Sequence, residues 1–328
     1  MYTQQRFVLM TLDPVHIGTG GYRLGRVDLS IAREPGTNLP KIPGTSLAGA
    51  ARSYAAMRYE KKQCAGQGQG KDDNKKHCTE ATCPICYTFG STKGNEGGNA
   101  GTVSIADAQI LFFPVHSMAG PVWVTTAQRL NDAGFKVDDP KLARGKFATT
   151  LKDWNKALNL GWLLLEWQSA FDPPQLEILR SAQNDKAAWG AIEKRLVLVD
   201  DGLFSQIVNS NLEVRTSVSI DPNTGAAREG ALFTYEAMPR ATWLWCDVVE
   251  DDYRRDDKKP WPVTKKFNGQ DNAGELLDEK SNETWNKSLH VAKAGLHLAE
   301  YLGVGGMGTR GFGRIKLMNQ NEWVVSHV

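Results

Sequence analysis

Four of the five cysteines in this chain lie within twenty-three residues of one another. They are Cys64, Cys78, Cys83 and Cys86, and the last two form a CxxC pair. Four thiolates satisfy the tetrahedral coordination of Zn²⁺, and a CxxC turn presents two of them to one ion. The pattern predicts a structural zinc site, because four sulfur ligands leave no position open for a catalytic water. His77 could replace one cysteine as a ligand, and free or redox-active thiols are the alternative.

A second group of residues suited to chemistry lies in a glycine-rich loop between Gly303 and Arg314. Glycines such as Gly305 and Gly306 let a backbone lie directly against a ligand, because they carry no Cβ. The loop also holds Arg310, Arg314 and a phenylalanine, which supply the donors and the stacking ring that RNA attracts. We predict that these two glycines and two arginines contact RNA, with a flexible surface turn as the alternative.

Asp28 lies in another glycine-rich loop, which suits a carboxylate that must reach a substrate. Such a carboxylate could bind a divalent metal or act as a general base. The alternative is an aspartate that caps its own loop with a structural hydrogen bond. Arg26 and Arg33 flank Asp28 and could neutralise the charge of a phosphate. His16 is a possible partner, but a lone histidine near a strand end is more often structural.

The composition limits the classes of function. With 328 residues, 41% of them hydrophobic, the chain can bury the core of one large domain or two ordinary ones. The formal charge is only +2, so nucleic-acid binding must come from local patches. No apolar run approaches the length of a transmembrane helix, and the first residues are no signal peptide, which predicts a cytoplasmic protein without a membrane partner. In that compartment, cysteines favour metal or thiol chemistry over disulfides.

The elements that must position these residues are strands interleaved with helices. They lack a regular βαβ rhythm, which favours an α+β fold. The segment 212–235 is predicted to be a long hairpin with a polar tip. Strands are predicted in 6–12, 103–113, 122–124 and 314–325, and helices from Thr45 or Ser46 to Lys61, in 175–198 and in 289–302.

The chain divides into a core and two segments outside it. The core comprises 1–62 and 89–328, and it includes the hairpin. The polar, glycine-rich stretch 63–88 holds the four clustered cysteines and is predicted to be a zinc-binding insertion. The charged stretch 250–287 is interrupted by proline and glycine and is predicted to be a surface insertion without a function. Cys246, outside the cluster, is predicted to be an ordinary core residue.

Several segments resemble the RAMP superfamily of CRISPR RNA-binding proteins, which act in antiviral defence. KIPGTSLAGAAR at 41–52 resembles the segment that opens the family's first helix, with Ala48 where a lysine is usual. The glycine-rich loop resembles the family's signature loop in the same C-terminal position. YTFG at 87–90 stands where the family has a short LFG-like motif.

Other segments narrow the resemblance to the backbone subunits of type III CRISPR effector complexes, above all type III-B. The cysteine insertion is similar to that of zinc-bearing relatives in other type III subtypes, so the subtype stays open. The segments are VDLSIARE at 27–34, GTVSIADA at 101–108, LFFPVHS at 111–117, WVT at 123–125 and LFTYE at 232–236.

The resemblance implies a right hand with a ferredoxin-like (RRM-like) palm and with the hairpin 212–235 as a thumb. It implies a subunit that binds crRNA along its length, stacks in several copies and joins other type III Cas subunits. The thumb would wedge into the guide–target duplex and splay a target nucleotide. The subunit would then cut the complementary target RNA at regular intervals as an endonuclease.

The resemblance also assigns roles to individual residues. Asp28 becomes the catalytic carboxylate beside the scissile phosphate, with Mg²⁺ or a similar divalent cation. Ser46 and Arg52 would hold guide phosphates at the start of the first helix. Arg26 and Arg33 would contact the cleaved RNA. Such contacts follow the backbone and do not read bases, so guide sequence should not matter.

Three other functions stay open at this point. The first is a crRNA-binding scaffold of the same fold without cleavage. The second is a RAMP nuclease that processes precursor guide RNA, which would need a histidine or tyrosine acid–base set that the sequence does not clearly cluster. The third is a zinc-dependent structural protein unrelated to RNA.

Overall fold

The structure, a computed structural model, describes most of the chain. The described residues form eighteen strands and six α-helices, and among them no helix is both long and apolar enough to cross a membrane. The described ranges are 2–20, 27–66, 78, 83–94, 97–135, 137, 139–174, 183–228, 230–254, 266–267, 270–271, 285, 287–318 and 324–327.

The helices and strands alternate irregularly along the chain. The helices are α1 (Gly44–Arg58), α2 (Pro84–Phe89), α3 (Ala127–Asp132), α4 (Gln183–Ile192), α5 (Asp201–Ser210) and α6 (Ser288–Leu302). The strands are β1 (Tyr2–Thr11), β2 (Lys41–Ile42), β3 (Ser91–Gly94), β4 (Gly97–Asn99), β5 (Val103–Ile105), β6 (Ala108–Ser117), β7 (Gly120–Thr125), β8 (Lys146–Thr149), β9 (Leu158–Leu160), β10 (Leu163–Ala170), β11 (Leu196–Val199), β12 (Glu213–Ser217), β13 (Phe233–Ala237), β14 (Trp243–Asp251), β15 (Lys266–Phe267), β16 (Gln270–Asp271), β17 (Ile315–Leu317) and β18 (Val324–His327).

A twelve-stranded mixed sheet organises the described residues. Its order is β17-β1-β14-β6-β7-β11-β8-β10-β9, with β18, β2 and β5 pairing to β1, β6 and β14. The pairs β7–β11 and β8–β10 are parallel, and the others are antiparallel. The hairpin strands β12 and β13 pair separately in an antiparallel ladder. The α+β class is confirmed, whereas a ferredoxin-like palm, the thumb and the domain limits stay predictions.

Both faces of the sheet are covered. Strand β1 shows this, since its alternate side chains point into two different cores. Phe7 and Leu9 belong to a core that includes residues of α1, α5 and α6. Val8 belongs to a second core with residues of α3 and α4. On the first face α1 and α6 pack closely, since a Cβ at Gly295 would overlap the carbonyl of Ala51. These two helices border the groove and the cysteine cluster described below.

The structure corrects some predicted elements. The strand expected at 103–113 is two strands, β5 and β6, separated at Asp107. This carboxylate accepts hydrogen bonds from Lys41 Nζ (2.5 Å) and Gly44 N (2.8 Å), and so it anchors the start of α1. Cys246 is buried in β14, as expected. The strand expected at 314–325 is represented by β17 and β18.

The helix expected over 175–198 was wrong at its end. Residues 183–192 are helical, but Leu196–Val199 is strand β11, between β7 and β8. All four of its side chains are buried, so the strand shows no alternation in sequence and looks like the continuation of an apolar helix. Residues 175–182 and most of 250–287 lie outside the described residues.

Candidate nucleic-acid interface and metal centre

The segment that carries Asp28 runs beside the second strand of the hairpin. Leu29 N donates to Thr234 O (3.0 Å), and Glu236 N donates to Leu29 O (3.2 Å). The two chains are parallel where Leu29 faces Tyr235. The position of Asp28 is therefore set by a strand that lies 206 residues further along the sequence.

Thr234 binds the carboxylate of Asp28 directly. Its backbone N (2.7 Å) and its Oγ1 (2.9 Å) both donate to Asp28 Oδ2, and its Oγ1 also accepts from Asp28 N (3.1 Å). The two hydrogen bonds from Thr234 hold the pKa of Asp28 below the ordinary value of a carboxyl group, and the one from the backbone N has the larger effect. The side chain is therefore a carboxylate at neutral pH, held in one place.

A buried glutamate fixes the rest of the same segment. Glu236 is 5% exposed, and its Oε1 accepts from Ile31 N (2.9 Å) and from Arg33 Nη1 (2.5 Å). Arg33 Nε also donates to Asn209 Oδ1 (3.0 Å). Because its donors are engaged in this way, Arg33 clamps the Asp28 segment to the hairpin. Its contact with RNA stays a prediction.

The glycine-rich loop packs against β13 through aromatic rings, on the face of the strand that carries Phe233 and Tyr235. The ring of Phe312 meets that of Tyr235 edge-on at 5.5 Å, and Tyr235 lies 5.8 Å from Phe233. Two guanidinium groups cover this cluster. Arg310 lies 5.2 Å from the centre of the Phe233 ring, and Arg215 lies 4.6 Å from that of Phe312. Stacked aromatic rings and arginines are the groups on which single-stranded RNA packs.

His16 joins the glycine-rich loop to the hairpin. Its Nδ1 donates to the carbonyl of Glu236 (2.7 Å), and its own carbonyl accepts from Gly306 N (2.9 Å). Gly305 has φ +88°, and a Cβ there would lie 2.5 Å from His16 O. This close approach explains why glycine occupies the position. The buried His16 has a structural role here, as the sequence favoured.

A groove runs between the first turns of α1 and the glycine-rich loop. It has a volume of about 470 Å³, and its lining includes Thr45, Ser46, Tyr54 and Gly305. Tyr54 Oη donates to Gly303 O (2.5 Å) and so ties the loop to the helix. The first backbone N–H groups of a helix lack intrahelical acceptors and attract phosphate. In α1 the N–H groups of Gly44 and Ser46 already donate, to Asp107 Oδ1 (2.8 Å) and to Pro43 O (2.9 Å). Ser46 lines the groove, and its contact with guide phosphate stays a prediction.

Arg52 points away from that groove. Its Nε donates to Cys64 O (2.8 Å), and its Nη1 and Nη2 donate to Phe89 O (3.2 Å) and Gly90 O (2.9 Å). The guanidinium thus joins α1 to both ends of the cysteine-rich segment. The predicted contact of Arg52 with guide phosphate stays a prediction, and the geometry gives the side chain a structural task.

Arg314 is exposed but paired. Its Nε and Nη2 donate to the two carboxylate oxygens of Asp13, at 2.5 Å and 3.1 Å. Arg26 lies outside the described residues, and so does His77. Of the four predicted arginine contacts that the structure describes, Arg310 is the one whose exposed guanidinium lies over an aromatic ring, that of the half-buried Phe233, without a described acidic partner.

The sulfurs of Cys64, Cys78, Cys83 and Cys86 form one cluster, within 4.8 Å of one another. The pairs Cys64–Cys83 and Cys78–Cys86 are each separated by 3.9 Å. A tetrahedral zinc with Zn–S bonds of about 2.3 Å requires sulfurs about 3.8 Å apart. The hydrogen bond to the Cys64 sulfur is the main cause that raises the pKa of Cys83 and of Cys86, and thiolates this close would also repel one another. The donor set therefore fits a cation that compensates their charge.

The surroundings of the cysteine cluster are apolar and belong to the core. Tyr59 and Trp285 stack at 6.0 Å beside it, and residues of α1 and α6 complete the packing. Three of the four cysteines are buried. The cluster thus occupies the end of the α1–α6 layer opposite to the groove at the start of α1.

The structure brings some of the predicted site residues together and separates others. Asp28, the hairpin and the glycine-rich loop converge in what we call the hairpin site. Sequence reasoning missed Thr234, which binds Asp28, and the ring of Tyr235, which joins hairpin and loop. The LFTYE motif at 232–236 pointed to this strand, and its alternating aromatic and polar residues were the available signal. The residues of the hairpin site are Asp28, Gly305, Gly306, Arg310, Phe312, Phe233, Thr234 and Tyr235.

Comparison with known families shows where the chain belongs. The sequence model of the RAMP superfamily matches residues 8–316. The chain belongs to the RAMP superfamily. The match runs from β1 to β17. The matched part of this RAMP protein therefore includes the hairpin site, the groove and the cysteine cluster.

Named relatives of this RAMP protein come from type III-B systems. It is 28% identical over 298 residues to the CRISPR system Cmr endoribonuclease Cmr4 of Pyrococcus furiosus, which covers 86% of this chain and 92% of that protein. The fold is shared with a chain of type III-B Cmr-beta bound to cognate target RNA, at 15% identity, 96% coverage of both chains and a TM-score of 0.60. It is also shared with oligomeric Cmr4 from Pyrococcus furiosus, at 22% identity, 99% coverage of both chains and a TM-score of 0.53.

Proposed function

We propose that this chain is a backbone subunit of a type III-B CRISPR effector complex that binds crRNA and cleaves complementary target RNA. The observation that carries the proposal is the convergence of a fixed, ionised carboxylate, a hairpin and a glycine-rich loop in the hairpin site. The similarity to a Cmr endoribonuclease over most of both chains supports the same function.

RNA would follow the surface from the groove to the hairpin site. At the groove, the first turn of α1 and Ser46 would hold guide phosphates. At the hairpin site, Arg310 would neutralise a phosphate, and the half-buried ring of Phe233, held by the buried rings of Tyr235 and Phe312, would support an unstacked base. None of these groups reads a base edge, so binding would be independent of guide sequence.

Asp28 would act at the phosphate to be cut. Both hydrogen bonds from Thr234 go to Oδ2, so Oδ1 is the atom that we propose faces the RNA. There it would accept the proton of the attacking 2′-hydroxyl or water as a general base. Mg²⁺ is commonly held by one or two carboxylates together with substrate phosphates, a donor set that Asp28 and RNA fit. Such an ion would neutralise charge on the phosphate.

We propose structural Zn²⁺ for the cysteine cluster. Four sulfur ligands complete its coordination and leave no open position for water, so the ion would stabilise the fold and take no part in cleavage. Copies of the chain would stack through two different surfaces, since an open array along RNA requires a heterologous contact. The oligomeric Cmr4 structure of a relative supports such stacking.

The experiment is a cleavage assay on the assembled complex with guide RNA, end-labelled complementary RNA and Mg²⁺. Wild type is compared with Asp28→Asn, because the amide oxygen can still accept from Thr234 and keep the loop in place. We expect regularly spaced cuts in the wild type, none in the variant, and unchanged target binding. Equal cutting by both would place catalysis elsewhere.

A second candidate function is a scaffold that binds crRNA without cutting. The hydrogen bonds between Asp28 and Thr234 favour it, since a purely structural aspartate would make the same contacts. Tight target binding by the wild type without any cuts would select this function. A guide-processing nuclease is less well supported, because the nearby His16 is buried between backbone groups.

A further inference from the structure

We propose that Thr234 is a positioning residue for cleavage, which holds the Asp28 carboxylate at the RNA through the hairpin. The inference rests on the catalytic role proposed for Asp28. It assigns a task to a residue on β13 that makes no contact with the reacting phosphate itself. Its basis is the set of bonds between the two residues and the way in which β13 is itself held.

Thr234 uses both of its hydrogen-bond donors in its contact with Asp28. The backbone N and Oγ1 both donate to Oδ2 of Asp28, at 2.7 Å and 2.9 Å. The backbone bond sets the distance between strand and loop, and the hydroxyl bond restricts rotation of the carboxylate. Two donors to one oxygen leave the other oxygen with a defined direction.

The surrounding ladder makes this contact part of the hairpin. Leu29 N donates to Thr234 O, and Glu236 N donates to Leu29 O. Ile31 N donates to the buried side chain of Glu236 at 2.9 Å. The segment that carries Asp28 is thus bound to β13 at Asp28 itself and through the residues that follow it, Leu29 and Ile31. The hairpin therefore determines where the carboxylate lies.

The side chain of Thr234 is also restrained. A β-branched residue in a strand has few rotamers available, and the Thr234 hydroxyl both donates to Asp28 Oδ2 and accepts from Asp28 N. Valine has the same shape but no hydroxyl, so Thr234→Val removes two bonds, the one from Oγ1 to Asp28 Oδ2 and the one from Asp28 N to Oγ1, and keeps the packing. Serine keeps the hydroxyl with a freer side chain. The pair of variants separates the hydrogen bonds from the shape.

The test uses the assembled complex with guide RNA, labelled complementary RNA and Mg²⁺. Single-turnover cleavage rates, target dissociation constants and Tm values are measured for Thr234→Val, Thr234→Ser and Asp28→Asn. Thr216→Val is the matched control, because Thr216 faces Thr234 across the hairpin and is exposed. Misplacing a catalytic group by about 1 Å costs on the order of 100-fold in rate.

We expect Thr234→Val to cut roughly 10- to 100-fold more slowly than wild type, with target affinity and Tm unchanged. Thr234→Ser should recover most of that rate, and Thr216→Val should cut as wild type does. Such a pattern ties the loss to the bonds of the hydroxyl and not to the stability of the hairpin.

Three other outcomes overturn the inference. Thr234→Val that cuts at the wild-type rate, while Asp28→Asn is inactive, would leave Asp28 catalytic but independent of Thr234. Equal losses in Thr234→Val and Thr234→Ser, with lowered Tm, would reduce Thr234 to a structural residue. Full cutting by Asp28→Asn would instead overturn the proposed role of Asp28, and the inference with it.

Discussion

The cysteine cluster and the hairpin site lie in different parts of the same fold and are held together by different means. In the cluster, four sulfurs lie within 4.8 Å of one another in an apolar layer. Beside them, Arg52 donates hydrogen bonds to three backbone carbonyls. In the hairpin site, segments distant in sequence meet through a short ladder, close glycine contacts and aromatic rings. The cysteine cluster is largely buried, whereas the hairpin site presents a carboxylate and arginines at the surface.

The difference helps to distinguish arginines that support the fold from arginines that could contact RNA. Arg33 and Arg52 were as plausible as RNA contacts as Arg310, since all three are cations in family-like segments. In the structure Arg33 binds a buried glutamate and Arg52 binds three carbonyls. A guanidinium that binds a buried carboxylate or several backbone carbonyls supports the fold, whereas Arg310 lies over a ring. The following variants test this division, from the largest expected effect to the smallest.

Cys83→Ser should have the largest effect on stability. It removes one of four ligands from a buried cluster, and metal binding in such a site is coupled to folding. We expect the variant to lose bound zinc and about 4 kcal/mol or more of unfolding free energy. Metal content by elemental analysis and chemical unfolding measure the two quantities.

Cys246→Ala is the matched control for that experiment. Cys246 is buried to the same degree in β14, outside the cluster. Its variant should keep the metal and lose much less stability. If Cys83→Ser retains both its metal and its stability, the cluster is not a metal centre, and its burial must come from apolar packing alone.

Gly305→Ala should have the next largest effect, on the hairpin-site side. Gly305 combines φ +88° with a Cβ position 2.5 Å from the carbonyl oxygen of His16. Left-handed backbone alone costs a residue with a Cβ about 1–2 kcal/mol, and the overlap adds to it. We expect a loss of about 2 kcal/mol or more in urea unfolding, together with weaker RNA binding.

Gly308→Ala is the control within the same loop. A Cβ there meets no atom within 4 Å, so its stability should equal that of wild type. Equal losses in the two variants would mean that the loop needs glycine for general flexibility. The hairpin site would then not depend on the close contact with His16.

Short-range patterns were enough to predict much of the fold. The spacing of the cysteines predicted a cluster that the structure brings together, and the glycine-rich loop, α1 and α6 lie close to where the sequence placed them. These features depend on ligand spacing, caps and periodicity within a few turns of chain. Strand β11 was missed because its four buried residues do not alternate.

The contacts that make the hairpin site could not be derived in the same way. Asp28 and Thr234 are 206 positions apart, and their pairing depends on how the hairpin docks beside the loop. Whether Arg52 faces RNA or carbonyls depends on the turn at Phe89 and Gly90, which composition does not reveal. The sequence predicted which residue types would form the site, and tertiary packing decided which partners they have.

Arg52→Lys tests the division at the cysteine cluster. Lysine keeps the charge but lacks the planar fork that reaches three carbonyls. We expect a loss of about 1–3 kcal/mol in unfolding free energy, because buried carbonyls lose their donors. The salt dependence of guide-RNA binding should not change. The variant Arg52→Ala should show the same unchanged salt dependence, and a reduced slope there would restore Arg52 as the phosphate contact that its family-like segment predicted.

Arg310→Ala should affect stability least and RNA binding most specifically. Its guanidinium lies on an exposed surface over Phe233, so its loss should change unfolding free energy by less than about 0.5 kcal/mol. Each phosphate contact to single-stranded RNA contributes about 0.7 to the slope of log K against log salt. We therefore expect the slope for guide RNA to fall by about 0.7. Arg144→Ala removes the same charge from an exposed position outside the hairpin site and should leave the slope unchanged. Equal slopes for the two variants would show that an arginine is not an RNA contact merely because the fold leaves it exposed.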